Sequence, residues 1–240
     1  MRKLIYVPII HMSADMGSIA KKVEEKGVAS FGEEFWKEHR KTISGFWDAI
    51  LHYFDFIDMD TRNKRNMKIY QDGMIAEREV AQRIIEEGIK SGSKNYELVL
   101  RLVNQGAVLV KTEEFKLVKE ELDRLLAITK AKSTSKKLFA FIKYKFIKNK
   151  LLKKRDEFIS KRIDKTLKDD EVGILFLGAY HNIKNMLPVD IQIIELKDRE
   201  KVAEYQKLVP FYNKNKKRFE ELGRYLISPV KVLTSRKLEI

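Results

Sequence analysis

Five short apolar runs, each followed by a stretch long enough for one or two helices, constrain this chain more than any other feature. The runs are "KLIYVPIIH" (3–11), "MKIYQDG" (67–73), "GAVLVKTE" (106–113), "GILFLGAYH" (173–181) and "VDIQIIEL" (189–196). Each is rich in Val, Ile, Leu, Tyr or Phe and is bounded by Gly, Pro, Asp or Asn, the pattern of a strand. Several are continuously apolar instead of alternating, which suits strands covered on both faces in a parallel sheet.

The intervening stretches carry helical spacing. In 33–57, Trp36, Ile43, Phe46, Trp47, Ile50 and Phe54 recur at three, four and seven. Residues 76–90 and 95–104 predict a broken helical pair around "SGS" (91–93), and 113–130 repeats apolar groups at 115, 118, 122, 125 and 126. Residues 136–168 and 199–224 predict two more helical stretches, the second broken at Pro210. The tail from Ser228 to Ile240 is a short strand or a loose end. Strand alternating with helix implies right-handed βαβ units. The expected class is therefore α/β: a mostly parallel β-sheet flanked by helices, one domain over 1–240. Residues 114–168 form a basic helical insertion before the fourth strand, with "KAKSTSKK" (130–137) as the best linker candidate.

Composition narrows the function. At 240 residues and 44% hydrophobic, the chain can build a real core. It has no cysteine, which excludes disulfides, a thiol nucleophile and a cysteine metal site and fits a reducing cytoplasm, the expected location. No run reaches the roughly 18 apolar residues of a transmembrane helix. The start, "MRKLIYVPIIHMSAD", looks like a signal peptide only superficially, because Pro8 and His11 interrupt an apolar part already too short. There is no GxGxxG after a strand, no Walker A, no HExxH and no GxSxG. A dinucleotide dehydrogenase, a P-loop enzyme and an α/β hydrolase are thereby disfavoured.

The net charge of +14 favours polyanionic contacts, or else reflects solvated lysine-rich helices. With no reading motif, sequence-specific nucleic-acid binding is not expected, and any contact with anionic surfaces should be weak and lost with salt. In "KKLFAFIKYKFIKNKLLKKR" (136–155) the apolar residues spread around the helix. That favours a helix partly buried between neighbours, with lysines snorkelling outward. A membrane or partner surface and nucleic acid are the other two readings.

Chemistry concentrates where the strands end. In open parallel sheets, sites form beyond the carboxyl ends of the strands. The first run ends at His11, followed by Ser13 and Asp15; the second ends at Gln71 and Asp72; the third at Glu113 and Glu114; the fourth at His181 and Asn182. His11, Asp72, Glu113 and His181 are good ligands for a divalent cation, and equally good general acids or bases. Local structural roles compete. Asp15 and Thr112 suit helix caps, Glu113 and Glu114 a first helical turn, and Asp72-Gly73 a turn. His39 and His52 fall within helical patterns and read as face residues.

Three of these stretches carry a family resemblance. "LLKKRDEFISKRIDKTLKDDEVGILFLGAYHNI" resembles the hallmark of the TraB/PrgY superfamily, with its GumN-like, Tiki, ChaN and erythromycin esterase-like relatives. There an Arg-Asn pair opens a helix, and a strand then runs into Gly-x-x-His. Arg155-Asp156 matches the first element, with Asp156 where asparagine is usual, and Gly178-Ala179-Tyr180-His181 matches the second. "VPIIHMSAD" keeps His11, with Pro8 in place of the glycine of a second such motif, and Asp72 stands where the family places an acid. The likeness covers roughly 3–15, 67–73 and 151–196. It implies an α/β fold with paired histidines, an arginine and an acid at the sheet edge. The expectation is a metal-dependent hydrolase or peptidase acting on a small molecule or peptide, with His11, Asp72, Arg155 and His181 as catalytic residues. The alternative is a non-catalytic ligand- or peptide-binding signalling protein with a basic surface. Arg155 either clamps an anionic group or pairs with a nearby acid such as Asp72.

Overall fold

All five runs form strands in the computed structural model, which describes residues 1–10, 20–56, 66–131 and 133–231. They are β1 (Arg2–Ile9), β2 (Met67–Gln71), β3 (Val108–Val110), β4 (Val172–Gly178) and β5 (Ile191–Glu195). Every pairing is parallel, in the order β3-β2-β4-β1-β5. The strand C-termini therefore share one edge, and those of β3, β2 and β4 are successive neighbours along it.

The helices are α1 (Ala20–Phe31), α2 (Glu33–Phe56), α3 (Arg78–Lys90), α4 (Lys94–Asn104), α5 (Phe115–Lys130), α6 (Thr134–Thr166), α7 (Arg199–Leu208) and α8 (Lys216–Ile227). A 3₁₀ segment carrying Pro210 separates α7 from α8, where the sequence predicts a break. Ser133 caps α6 by accepting from the Lys136 amide, and Asp198 caps α7. Helix α1 has no counterpart in the sequence reading, because its apolar residues are too sparse to mark a face. Gly27 of α1 lies against the Trp36 indole so closely that a Cβ would collide. The tail beyond residue 231 lies outside the described residues.

The sheet is covered unequally. On one face, α2, α3, α4, α7 and α8 pack a large core on Ile5, Val7, Ile9, Ile174 and Phe176. On the other, the C-terminal half of α6 lays Ile159 and Ile163 over Leu4, Tyr6, Tyr70, Leu175 and Leu177. Successive strand residues point to opposite faces, so a strand buried on both has no polar position to alternate. That is why β1 and β4 read as unbroken apolar runs.

The sequence favours burial of 136–155 between neighbours, but among the described residues this stretch packs on α5 and is otherwise largely open to solvent. Leu138, Phe139, Phe141, Ile142 and Phe146 are exposed, while Leu151 is the first fully buried residue of the helix. Helices α5 and α6 thus form a hairpin whose far end reaches beyond the sheet's cover. No described helix is long and apolar enough to cross a membrane.

Candidate metal centre

The turns after β2 and β3 are tied to one another before any functional group is placed. Gly73 takes a positive φ of 75°, so the chain reverses just after Asp72. The Met74 carbonyl then accepts from the amides of Thr112 (2.8 Å) and Glu113 (3.0 Å). Thr112 does not cap the following helix. Its hydroxyl accepts from the Gln71 amide (3.0 Å) and donates to the Val110 carbonyl (2.9 Å), joining the two strand ends. Asp72 is fixed to the third strand end as well: its amide donates to the Phe176 carbonyl (2.8 Å), and its Oδ2 accepts from the Gly178 amide (3.0 Å). After β4 the chain turns, with the His181 amide donating to the Gly178 carbonyl (3.0 Å). Arg199 braces that turn through the carbonyls of Ala179 (3.2 Å) and His181 (3.3 Å).

These ties bring Asp72, Glu113 and His181 together. One ligand atom from each lies within 4.8 Å of the other two. Glu113 is fully buried and His181 is 4% exposed, so the group sits under the protein surface. His181 Nδ1 meets Asp156 Oδ1 at 2.5 Å, and Nε2 lies 3.8 Å from Asp72 Oδ2. With Nδ1–H given to Asp156, the Nε2 lone pair is turned toward the two carboxylates. This is how a second carboxylate orients a metal-ligating or proton-accepting histidine. The other Asp156 oxygen accepts from the Asn182 amide (3.0 Å), which holds the acid in register with the turn.

Arg155, one residue before Asp156 on α6, occupies the middle of the acids. Its Nε donates to Glu113 (3.1 Å), its Nη1 to Glu121 of α5 (2.5 Å), and its Nη2 to Asp72 (2.8 Å) and to the second Glu113 oxygen. The guanidinium is therefore spent on protein carboxylates from β2, β3 and α5. Burial opposes its charge, but these acids raise its pKa above the ordinary value.

Charge does not balance here. The carboxylates of Asp72, Glu113, Glu121 and Asp156 face one guanidinium and one imidazole, so negative charge is in excess even when the imidazole is protonated. Burial pushes the Glu113 carboxyl above the usual range despite Arg155. For His181, burial disfavours the charged form, but the Asp156 hydrogen bond and the Asp72 charge raise its pKa. Both shifts favour the protonated forms, and a divalent cation would compete with those protons for the same atoms. One imidazole nitrogen and two carboxylates are a donor set that borderline divalent ions accept. The residues present fit such an ion.

Of the residues expected from the sequence, Asp72, Glu113, Arg155 and His181 converge. His11 lies outside the described residues, as do Ser13 and Asp15; β1, the strand that precedes it, pairs with β4, Ile9 opposite Gly178. Glu114 precedes α5 and does not join the cluster. His52 is exposed, as a face residue should be, but His39 turns inward and meets the Tyr205 hydroxyl at 2.9 Å. Sequence reasoning missed Glu121 and Tyr6. Glu121 has no signal, being one acid among several on α5. The Tyr6 hydroxyl is buried and has no hydrogen-bond partner among the described residues. Burial raises its pKa, and the charges of Arg199, Glu195, Asp72 and Asp156 all act on it, which places it in the electrostatic field of the cluster. A polar residue in the middle of an apolar β1 was its only advance signal. No family model, curated protein or solved structure matches this chain, so the reading of the site rests on its geometry.

Proposed function

We propose that this protein is a hydrolase of the TraB/PrgY type that works through a divalent cation held by Asp72, Glu113 and His181. Its substrate would be a small molecule or peptide bound at the C-terminal edge of the sheet. One observation carries the reading: His181 Nε2, turned inward by Asp156, faces two carboxylates delivered by neighbouring strands within 4.8 Å. A bound ion supplies a water of lowered pKa and a Lewis acid for a carbonyl. The chain's own residues do the rest. Asp156 sets the His181 tautomer, and Arg155 holds Asp72 and Glu113 at fixed places as a positioning residue. The Tyr6 hydroxyl is a buried donor in reserve for a ligand atom or water.

The test joins elemental analysis of the purified protein to melting with zinc, manganese and magnesium, and to hydrolysis assays on ester and peptide substrates. A metal present at about 100-fold above its Kd should add about 2.7 kcal/mol of stability. Asp72→Asn, Glu113→Gln and His181→Gln should each lose most of that response, and hydrolysis should fall with it. A wild-type protein that carries no metal, and whose melting no metal shifts, sinks the proposal.

A second reading is a non-catalytic ligand- or peptide-binding signalling protein with a basic surface. The engagement of Arg155 by Asp72, Glu113 and Glu121 favours it, because the cation that a hydrolase would aim at a substrate carboxylate or an oxyanion is spent on the protein's own acids. Metal binding without hydrolysis of any substrate would select it.

A further inference from the structure

Residues 131–154 contain nine lysines and no aspartate or glutamate. Within α6 they carry two apolar faces. Ala140, Tyr144, Ile147 and Leu151 recur at helical spacing on the face toward α5, where the Tyr144 hydroxyl reaches Glu121 (3.1 Å). Leu138, Ile142 and Phe146 recur at intervals of four on the opposite face, with Phe139 beside them. This second stripe faces water: Phe139 is 71% exposed and Phe146 82%. Two opposed apolar faces explain why the apolar residues spread around the helix.

We propose that this outer face of α6 docks on the surface of an anionic lipid bilayer. Leu138, Phe139, Ile142 and Phe146 would enter the boundary between headgroups and acyl chains, and the flanking lysines would meet lipid phosphates while their stems lie along the apolar surface. Charge decides between occupants. A second copy of this chain would bring two lysine rows together without an acid on either side of the stripe. Nucleic acid would answer the lysines and could stack on Phe139 or Phe146, but it leaves the aliphatic Leu138 and Ile142 in water. An anionic bilayer answers both the charge and the hydrocarbon. The same helix also reaches the turn beside the candidate metal centre, where Lys148, on the flank of the stripe, lies over the Tyr180 ring (5.2 Å).

The test is co-sedimentation of the full chain with vesicles of phosphatidylcholine alone and with about one-third phosphatidylserine. The wild type is compared with a Phe139→Ser/Phe146→Ser double variant and a Lys143→Gln/Lys145→Gln/Lys148→Gln triple variant. The wild type should bind only the phosphatidylserine vesicles, and added salt should weaken it. Each variant should bind about tenfold or more weakly, with melting unchanged because the altered side chains are exposed. If the double variant melts early, Phe146→Ser alone carries the comparison. A phenylalanine variant that binds as tightly as the wild type, equal binding to both vesicles, wild-type protein left in the supernatant, or its removal from vesicles by stoichiometric single-stranded RNA would each overturn the proposal.

Discussion

The two halves of α6 reverse the usual relation between polarity and burial. The C-terminal half buries Arg155 and Asp156, while the N-terminal half exposes Phe139, Phe141 and Phe146. Both are lysine-rich and both are helical by composition. They differ in what lies beside them. The C-terminal half crosses the sheet, so Arg155 and Asp156 on its inner side are enclosed, and each finds a partner just beyond a strand end. The N-terminal half packs on α5 and is otherwise largely open to water. Burial is a property of neighbours, and a buried polar group persists where its hydrogen bonds are made.

The largest effect should come from breaking the polar cluster. Arg155→Met leaves Asp72 and Glu113 buried without their counter-charge, and should cost roughly 3–5 kcal/mol in denaturant unfolding. Adding Glu113→Gln should restore part of that loss, since the two side chains are coupled through direct hydrogen bonds. If Arg155→Met is as stable as the wild type, the cluster does not anchor α6 to the sheet. Next is a matched pair along the one helix. Ile163→Ala, under the sheet-facing half, should cost roughly 2–5 kcal/mol, and Ile142→Ala within about 0.5. Equal losses would mean that the outer half is covered in solution.

Acid should act from the far side of the sheet. Burial pushes His39 down to about 4. Between an unfolded value near 6.5 and that folded value, the unfolded chain binds a proton that the folded chain does not. This contribution is therefore complete above about pH 6.5 and is lost as pH falls toward 4, by up to about 3 kcal/mol. Unfolding measured across that window should show the slope, and His39→Phe should flatten it. A slope unchanged in His39→Phe would show that His39 does not carry the acid response. The smallest effect belongs to Tyr6→Phe. Removing a buried hydroxyl without a partner should change stability by less than about 1 kcal/mol, in the stabilising direction. If the hydroxyl serves the site, the same variant should weaken the metal or substrate response. A large destabilisation instead would show that Tyr6 already has a partner.

Much of the site was legible because strand ends are legible. Asp72, Glu113 and His181 each follow an apolar run, and a parallel sheet must bring such ends to one edge. Thr112 and Glu113 show where local rules fail. Their positions before α5 suit capping and first-turn roles, yet Thr112 joins β2 to β3 and Glu113 meets Arg155. Intrinsic preference lost to a long-range hydrogen bond that the sequence does not display. His39 was misread for a related reason: a single polar residue on a long helix carries no mark of which neighbour will cover it.

The sequence by itself determined the strands, most of the helices and the strand-end address of the chemistry. Each follows from spacing, turn residues and apolar runs that act over a few positions. Only the tertiary structure decided that Asp156 orients His181 from 25 residues away, and that Arg155 gathers Glu113 and Asp72 across 42 and 83. It alone decided that one half of α6 lies over the sheet and the other faces solvent. Those outcomes depend on which elements become neighbours, and neighbours are chosen by the packing of the whole sheet, not by the residues beside them in the chain.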